Sequence, residues 1–270
     1  MDASQYEPFL LELAVIAARE TLPRFRAPGA VDDKGGTRFD PVTEADRAAE
    51  AAIRRAIAER FSAHGVLGEE YGADRDDADH VWVIDPIDGT RAYIAGVPVW
   101  TTLIALRFEG RPVIGMIAQP YLHEIYIGGA GLGARLHHRA VQHSISTRTG
   151  VPLGAALAAT TDPALFTLPE RAAWDRLAAS TRLARLGLDA YAFAQLAAGN
   201  IDVAAETGLK PWDVEAPRAL IEGAGGVALD WHGAASGQGD RTTLFAGDMV
   251  LGQAAAAILD QRVGSGSGPE

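Results

Sequence analysis

A buried strand that runs directly into paired carboxylates limits the fold of this chain more than any other segment. The apolar run Val81–Ile84 is followed at once by Asp85 and, three residues later, by Asp88. In α/β proteins, ligand-binding residues usually lie at the carboxyl ends of strands. Two carboxylates this close together repel each other and are costly to bury unless a cation lies between them. The segment therefore indicates a sheet in which one strand end carries a cation site.

Gly89 and Thr90, which follow the second aspartate, suit the binding of an anion. Glycine has no Cβ, so its backbone can approach a bound group closely. Thr90 would begin a short helix, and the first backbone N–H groups of a helix favour phosphate. The same residues also fit an ordinary Asp-Gly turn in which Asp85 caps the turn. Taken alone, this segment leaves both interpretations open.

Other acidic residues stand at the predicted ends of elements, and each has a structural explanation of its own. Asp46 follows Thr43 with the spacing of a helix capping box, and Asp213 could be the N-cap of a helix. Glu69 opens a polar loop, where a solvated side chain is the ordinary interpretation because Glu is rarely buried. Five acids at element ends, beside a turn suited to phosphate, nevertheless favour one shared role.

These acids predict a magnesium site that acts on phosphate. Oxygen ligands without His or Cys favour Mg²⁺ over zinc or copper, and the chain contains no cysteine. A carboxylate cage around more than one Mg²⁺ can bridge a phosphate, activate a water molecule and stabilise the leaving alkoxide. Phosphoryl transfer requires positioning and charge neutralisation more than covalent chemistry by the protein. We therefore predict a phosphomonoester hydrolase whose partner is a small phosphorylated metabolite.

Charge and hydropathy narrow the range of partners. The net charge of −11 argues against nucleic acid, because its binding depends on basic contacts to phosphates. No apolar run reaches the roughly 18 residues that cross a bilayer. The N-terminus lacks the basic and then apolar order of a signal peptide. We expect a cytoplasmic protein with neither nucleic-acid nor membrane partners.

The spacing of apolar residues predicts helices on either side of a largely antiparallel sheet. Helical spacing marks residues from about 6 to 26 and a second helix from near Thr43. Short apolar runs between residues 65 and 127 mark strands, with a hairpin turn at Gly110-Arg111. Later residues alternate between helices, expected over 170–180, 190–198, after 212 and over 248–259, and extended segments, expected over 182–186 and 201–205.

This alternation predicts a mixed α/β (α+β) protein with layered packing in two closely joined halves. We place the N-terminal α+β half, with most of the metal ligands, at residues 1–140. The C-terminal α/β half, at residues 141–262, would complete the site. The Gly/Ser-rich tail at 263–270 has no apolar periodicity, so we expect it to be disordered.

The combination of segments resembles the inositol monophosphatase family. The resemblance extends from about residue 5 to 262 and implies a layered αβαβα sandwich. It also implies two or three Mg²⁺ ions per active site and, commonly, a homodimer. It rests on DPVTEAD at residues 40–46, Gly68-Glu69-Glu70, WVIDPIDGT at residues 82–90, and Trp212-Asp213 followed by a Gly-rich helix end.

The resemblance further implies a role for each site residue. Thr90 and Asp46 would orient and deprotonate the attacking water beside Glu69, so these three would be catalytic. Backbone N–H groups of Gly89 and Thr90 would hold phosphate oxygens. The metal ligands would be Glu69, Asp85, the carbonyl of Ile87, Asp88 and Asp213. Substrate contacts would come from Asp88, Gly89, Thr90, Arg91, Glu206 and Asp213.

Within the family, the chain is most similar to the histidinol-phosphatase branch, which would place it in histidine biosynthesis. The similarity lies in Arg91, residues 94–98, 101–106 and 208–213. Glu206 could pair with a cationic amine, but it could equally accept hydrogen bonds from a polyol. Inositol 1-phosphate, a nucleotide 3′-phosphate, or a catalytically weak member with a binding or regulatory role therefore remain alternatives. One departure is Pro217, which lacks a backbone donor and is expected to disturb the helix that follows Asp213.

Overall fold

The computed structural model describes residues 2–27, 31–33, 35, 41–139, 141–237 and 240–261. The tail at 263–270, predicted to be disordered, lies outside these residues. Within the described ranges, no helix combines the length and the apolar character needed to span a bilayer. The helices are α1 (Glu7–Thr21), α2 (Glu44–Arg60), α3 (Thr90–Ile94), α4 (Leu168–Ser180), α5 (Tyr191–Ala197), α6 (Pro211–Gly223) and α7 (Met249–Leu259).

The strands form two main sheets and one short pair. The strands are β1 (Val31–Asp33), β2 (Pro41–Thr43), β3 (Gly65–Gly68), β4 (Gly72–Asp74), β5 (His80–Asp88), β6 (Thr101–Phe108), β7 (Arg111–Gln119), β8 (Glu124–Gly129), β9 (Gly133–His138), β10 (Val141–Ile145), β11 (Leu157–Thr160), β12 (Leu183–Leu186), β13 (Val203–Thr207), β14 (Val227–Leu229) and β15 (Thr242–Ala246). The eight-stranded sheet has the order β10-β9-β8-β7-β6-β5-β3-β4, and the five-stranded sheet the order β12-β11-β13-β15-β14. The pair is β1 with β2.

The eight-stranded sheet is antiparallel except where β3 lies beside β5. These two strands run parallel, with Gly68 opposite Ile84. The next residues, Glu69 just after β3 and Asp85 within β5, therefore lie near each other toward the carboxyl ends of the two strands. The largely antiparallel sheet predicted from the sequence is confirmed, and its one parallel pair is what brings two of the acids together.

The two faces of the eight-stranded sheet pack against different helices. The face that carries Trp82 and Ile84 is covered by α1 and α2, whereas the face that carries Val81 and Val83 is covered by α5 and α6. The five-stranded sheet packs on the far side of α5 and α6, for example through Phe245. Helices α4 and α7 cover its outer face. The resulting order of layers is the predicted αβαβα sandwich.

The predicted elements differ from the observed ones at their ends, and the sequence did not predict eight of the short strands, namely β1, β2, β4, β9, β10, β11, β14 and β15. Helix α1 ends at Thr21 and continues only as a 3₁₀ turn over Leu22–Arg24, short of the expected residue 26. The hairpin turn lies one residue earlier than predicted, because β7 already begins at Arg111. Glu109 and Gly110 form this turn with φ values of 47° and 79°, as two-residue hairpin loops require.

The two predicted halves share structure across their boundary. Strand β10 follows the predicted boundary at residue 140 and pairs antiparallel with β9. Helix α6, from the second half, packs on the sheet of the first half. The division into 1–140 and 141–262 remains a prediction, and the fold brings residues from both parts to one sheet edge.

Candidate metal centre

A β-bulge at the end of β5 determines where Asp85 and Asp88 point. Asp85 pairs with Leu103 of β6, and Asp88 pairs with Thr101, so three steps along one strand match two along the other. Residues three apart in a regular strand point to opposite faces. The extra residue of the bulge turns both carboxylates to the same side of the sheet.

Asp213 reaches the same edge from α6. It is the third residue of the helix, and its Oδ2 accepts the backbone N–H of Lys210 at 2.7 Å. Pro217 is buried inside α6, yet the helix begins at Pro211. The expected disturbance of the helix start is therefore not observed, and Asp213 keeps a defined position in the first turn.

Three carboxylates meet here, with one oxygen from each of Asp85, Asp88 and Asp213 within 4.8 Å of the other two. Burial raises the pKa of Asp85 well above its usual range, and the charges of Glu69 and Asp88 raise it further. Burial likewise raises the pKa of Asp88, with Asp189 and Asp213 adding to the effect. A cation would remove this repulsion, and an oxygen-only donor set suits a hard divalent ion. The residues therefore fit a metal centre.

Glu69 extends this group of acids from the loop after β3. Its backbone N–H donates to the carbonyl of Ile84 at 3.2 Å, and its carboxyl group hydrogen-bonds with that of Asp85. The side chain is half-buried. These contacts favour a shared site over a solvated acidic loop.

Asp46 and Thr90 contact each other across two helix starts. Asp46 is buried in the first turn of α2, where its Oδ2 accepts the N–H of Thr43 at 2.8 Å, so the predicted capping box is present. Its Oδ1 lies 3.4 Å from the Thr90 hydroxyl, which donates to the carbonyl of Ile87 at 3.0 Å. Burial raises the pKa of Asp46. A single carboxylate thus caps a helix and contacts a second predicted site residue.

Gly89 turns the chain from β5 into α3 with a left-handed φ of 78°. A Cβ at this position would lie 3.0 Å from the carboxylate carbon of Asp189, so this approach requires glycine. Burial raises the pKa of Asp189 to about 6, against the opposing effect of the exposed Arg91. The next residue, Ala190, donates its N–H to Oδ2 of Asp88 at 2.7 Å. The start of α5 therefore closes one side of the site.

Glu206 lies near the carboxyl end of β13, outside the three-aspartate cluster. It is buried, and its Oε1 accepts the N–H and the hydroxyl of Thr161 at 2.6 and 3.0 Å. Burial raises the pKa of Glu206 to about 8, and the nearby charge of Asp189 adds to the effect. The structure places Glu206 in a second group of acids beside Asp189.

Two acids near the site were not predicted from the sequence. Asp189 adopts a left-handed φ of 48°, which Asp tolerates better than most residues, but the sequence around it only indicates a turn. Glu50 is fully buried, although its spacing to Arg54 is that of an ordinary surface ion pair on a helix. The positions of both acids are determined by contacts between distant segments, and local sequence patterns do not predict such contacts.

Comparisons with known proteins agree with this geometry. A family model described as the inositol monophosphatase family matches residues 2–264. A protein named histidinol-phosphatase from Chlorobaculum parvum is 36% identical, over 83% of this chain and 85% of that protein. The Nus factor SuhB of Escherichia coli is 32% identical, over 83% of this chain and 86% of its own length.

A bifunctional phosphatase from Arabidopsis thaliana, named IMPL2, is 43% identical over 72% of this chain, but the match spans 56% of that protein. Among solved structures, an inositol monophosphatase from Zymomonas mobilis superposes with a TM-score of 0.84 at 37% identity. That superposition covers 97% of this chain and 100% of the other. The layers, the gathered acids and the full-length family match lead to one conclusion: the chain belongs to the inositol monophosphatase family of phosphatases.

Proposed function

We propose that this protein is a magnesium-dependent phosphomonoester hydrolase in which water attacks the phosphorus in line, and that its substrate is histidinol phosphate. The observation that carries the proposal is the gathering of carboxylate oxygens from Asp85, Asp88 and Asp213 within 4.8 Å of one another. Carboxylates without His or Cys form the donor set that Mg²⁺ prefers over softer metals.

The three aspartates are prepared for metal binding by the backbone. Oδ1 of Asp85 accepts the N–H of Ile87 at 3.0 Å, and Oδ2 of Asp88 accepts that of Ala190 at 2.7 Å. Asp213 uses Oδ2 for the N–H of Lys210. Each carboxylate therefore has one oxygen held by a backbone donor, which fixes the orientation of the whole group.

These residues would hold two or three Mg²⁺ ions. One ion would be bound by Glu69, Asp85, Asp88 and the carbonyl of Ile87, and a second by Asp88 and Asp213. Bound Mg²⁺ would neutralise phosphate charge and make water easier to deprotonate. The role of the chain is to keep these oxygens in place.

Thr90 and Asp46 would orient the attacking water beside Glu69. The Thr90 hydroxyl lies between Oδ1 of Asp46 and the carbonyl of Ile87, so its oxygen has a fixed direction. The raised pKa of the buried Asp46 makes its carboxylate a stronger base than an exposed aspartate. The pair can therefore accept the proton that water loses during attack.

The turn at Gly89 would bind the phosphate. The left-handed Gly89 places the first backbone N–H groups of α3 beside the aspartates, and N–H groups of this kind suit phosphate oxygens. Arg91, one residue after Thr90, is exposed at the same turn. Its positive charge would attract an anionic substrate.

The acids beyond the metal cluster support histidinol as the organic part of the substrate. Burial keeps the pKa of Asp189 at about 6 and that of Glu206 at about 8. An ammonium or imidazolium group between them would offset the cost of ionising both in a buried place. Asp213 could contribute at the border of the two groups. The relative named histidinol-phosphatase supports the same choice.

Inositol 1-phosphate and a nucleotide 3′-phosphate are the alternative substrates, because carboxylates also accept hydrogen bonds from hydroxyl groups. A binding or regulatory role is the alternative of another class, and one relative is named a Nus factor. The gathered aspartates and the contact between Thr90 and Asp46 favour catalysis. We further propose a homodimer that acts in the cytoplasm, in histidine biosynthesis.

Steady-state kinetics on three substrates test the proposal. We expect kcat/KM to be highest for histidinol phosphate, compared with inositol 1-phosphate and a nucleotide 3′-phosphate. EDTA should abolish turnover, and Mg²⁺ should restore it. A preference for inositol 1-phosphate would reject histidinol phosphate as the substrate while leaving a metal phosphatase in place. No Mg²⁺-dependent turnover of any ester would reject the enzyme class.

A further inference from the structure

Glu50 is a buried acid that belongs neither to the metal centre nor to the residues of the proposed reaction. It lies on α2 one turn after Asp46, and its side chain is 0% exposed. Its Oε2 accepts the backbone N–H of Glu70 at 2.8 Å, and its Oε1 accepts that of Tyr71 at 3.2 Å. A carboxylate buried this completely requires such donors, because an unpaired buried charge is strongly destabilising.

Arg54 completes these contacts from the next turn of α2. Its Nε donates to Oε1 of Glu50 at 2.7 Å, and its guanidinium also donates to the carbonyl of Gly72. Glu50 and Arg54 together therefore hold three consecutive residues of one loop by their backbone groups. We name these two side chains the α2 clamp.

Gly68 allows the clamp to approach the strand end. A Cβ on Gly68 would lie 2.0 Å from Oε1 of Glu50, which no side chain can accommodate without displacing the carboxylate. The last residue of β3 and the two residues after Glu69 thus surround Glu50. The loop after β3 therefore folds around the buried carboxylate of Glu50.

Glu69 lies at the centre of this held segment. On one side its N–H is bonded to the carbonyl of Ile84, and on the other side Glu50 binds the N–H of the next residue, Glu70. With the backbone fixed on both sides, the Glu69 side chain leaves the loop in one direction, toward Asp85.

We propose that Glu50 is a positioning residue, which fixes the loop so that the Glu69 carboxylate is presented to the divalent cation. This inference rests on the proposed function, because it takes Glu69 as a metal ligand. Since Asp46 lies on the same helix, α2 then sets both the residue that orients water and the loop that carries Glu69. Groups that orient metal ligands commonly alter metal affinity by about 10- to 100-fold when replaced.

Glu50→Gln is the principal test. The amide has nearly the same shape, but its NH₂ group would face a backbone N–H or the Arg54 guanidinium, so one of the donors loses its partner. Ile53→Val is the matched control, since Ile53 is also fully buried on α2 and packs in the apolar cluster with α1, so its truncation removes packing and no hydrogen bond to the loop. The two measurements are Mg²⁺ binding by calorimetry and amide hydrogen exchange at Glu70 and Tyr71 by NMR.

We expect Glu50→Gln to weaken Mg²⁺ binding about 10-fold or more and to accelerate exchange at Glu70 and Tyr71, whereas Ile53→Val should do neither. Equal Mg²⁺ affinity in the two variants, or unchanged exchange at these two amides, would overturn the inference. If Glu50→Gln does not fold, Arg54→Met decides, because it opens the same clamp from the partly exposed partner. Arg54→Met should also weaken Mg²⁺ binding. An unchanged Mg²⁺ affinity in this variant would contradict the proposed role of the α2 clamp.

The design separates this inference from the proposed function. Wild-type protein that binds no Mg²⁺ would reject the metal site itself. The exchange rates of Glu70 and Tyr71 would still decide whether Glu50 fixes the loop. Normal Mg²⁺ binding in both wild type and Glu50→Gln would reject the positioning role and leave the metal phosphatase intact.

Discussion

Asp46 and Asp213 occupy the same place in two different helices. Each is the third residue of its helix, α2 or α6, and each uses Oδ2 to accept the backbone N–H of the residue just before the helix. The distances are 2.8 Å to Thr43 and 2.7 Å to Lys210. The two helix starts therefore provide nearly identical anchors for a carboxylate.

The surroundings of the remaining oxygen distinguish the two residues. In Asp46 that oxygen faces the Thr90 hydroxyl, whereas Asp213 is gathered with the carboxylates of Asp85 and Asp88. The first environment suits a base and the second a metal ligand. A carboxylate has two oxygens, so a helix cap that uses one of them leaves the group able to take part in a site as well.

The largest effect is expected at Asp213. Asp213→Asn keeps an oxygen for the Lys210 N–H but removes the charge from the cluster, so kcat should fall roughly 10³-fold if several kcal/mol of metal-dependent stabilisation are lost. In EDTA the Tm of this variant should be higher than that of the wild type, because the repulsion of the residue 213 side chain with Asp85 and Asp88 is relieved. Kinetics at saturating Mg²⁺ and thermal unfolding in EDTA measure the two effects.

Asp248→Asn is the control for this variant, since Asp248 caps α7 away from the cluster and accepts the N–H of Leu251 at 2.8 Å. The hydrogen bonds from Leu251 and Gly150 lower the pKa of Asp248, so its ionised form stabilises the fold and the control should lose Tm without losing activity. Near-normal turnover by Asp213→Asn would remove Asp213 from the set of metal ligands.

The second effect concerns the other helix start. Thr90→Ala removes the hydroxyl between Asp46 and the carbonyl of Ile87, so kcat should fall about 10²-fold while KM changes little. Thr90→Ser retains a hydroxyl and should retain most of the activity. Asp46→Asn should add little to Thr90→Ala, because the two residues act as one unit. A rise in KM with unchanged kcat would mean that Thr90 serves only to bind substrate.

A smaller effect is expected in the second group of acids. Glu206→Gln keeps an acceptor for Thr161 but loses the charge, and a charge-assisted contact exceeds a neutral one by about 1 kcal/mol. The variant should therefore lose roughly fivefold in kcat/KM for histidinol phosphate and much less for inositol 1-phosphate. The ratio of the two losses is the quantity to measure. A ratio near one would show that Glu206 does not recognise a cation.

The smallest effect is expected at His64. This residue lies just after the C-terminal end of α2, away from both helix starts, and so serves as a reference. Burial lowers the pKa of His64 to about 4, and the neighbouring His80 adds to the effect. Its Nδ1 accepts the indole N–H of Trp82 at 3.1 Å, which requires a neutral ring.

Because unfolded His64 has a pKa of 6.5, the unfolded chain takes up the proton first as the pH falls. The free energy of unfolding should therefore decrease from about pH 6.5 toward pH 4. Urea unfolding at pH 7 and at pH 5 should show a smaller difference for His64→Gln than for the wild type. Equal differences would mean that His64 does not contribute to the acid sensitivity.

Much of the architecture could be predicted because apolar spacing and helix caps are local properties. The box formed by Thr43 and Asp46 is an example, and it is present as predicted. In the second sheet β11, β14 and β15 were not predicted, since all three are short and contain alanine, which is uncommon in strands. It also left the role of Asp213 open, because both interpretations gave the same sequence pattern.

The acids that were not predicted from the sequence are those whose surroundings are formed by segments distant in the chain. Glu50 is buried only because the loop at Glu70 and Tyr71 folds around it, and no pattern along α2 reports that loop. Asp189 is placed by its approach to Gly89, about a hundred residues away in sequence. Periodicity describes one element at a time, whereas these acids are defined by pairs of elements.

The bulge between Asp85 and Asp88 makes the length of this segment as important as its composition. Three residue steps along β5 span the same distance as two along β6, so β5 contains one residue more than a regular ladder would. Removing either Pro86 or Ile87 would restore a regular ladder in which Asp85 and Asp88 lie two residues apart on one face, but without the bulged turn in which the N–H of Ile87 binds Oδ1 of Asp85. Side chains at the two middle positions can therefore be exchanged more readily than either residue can be deleted.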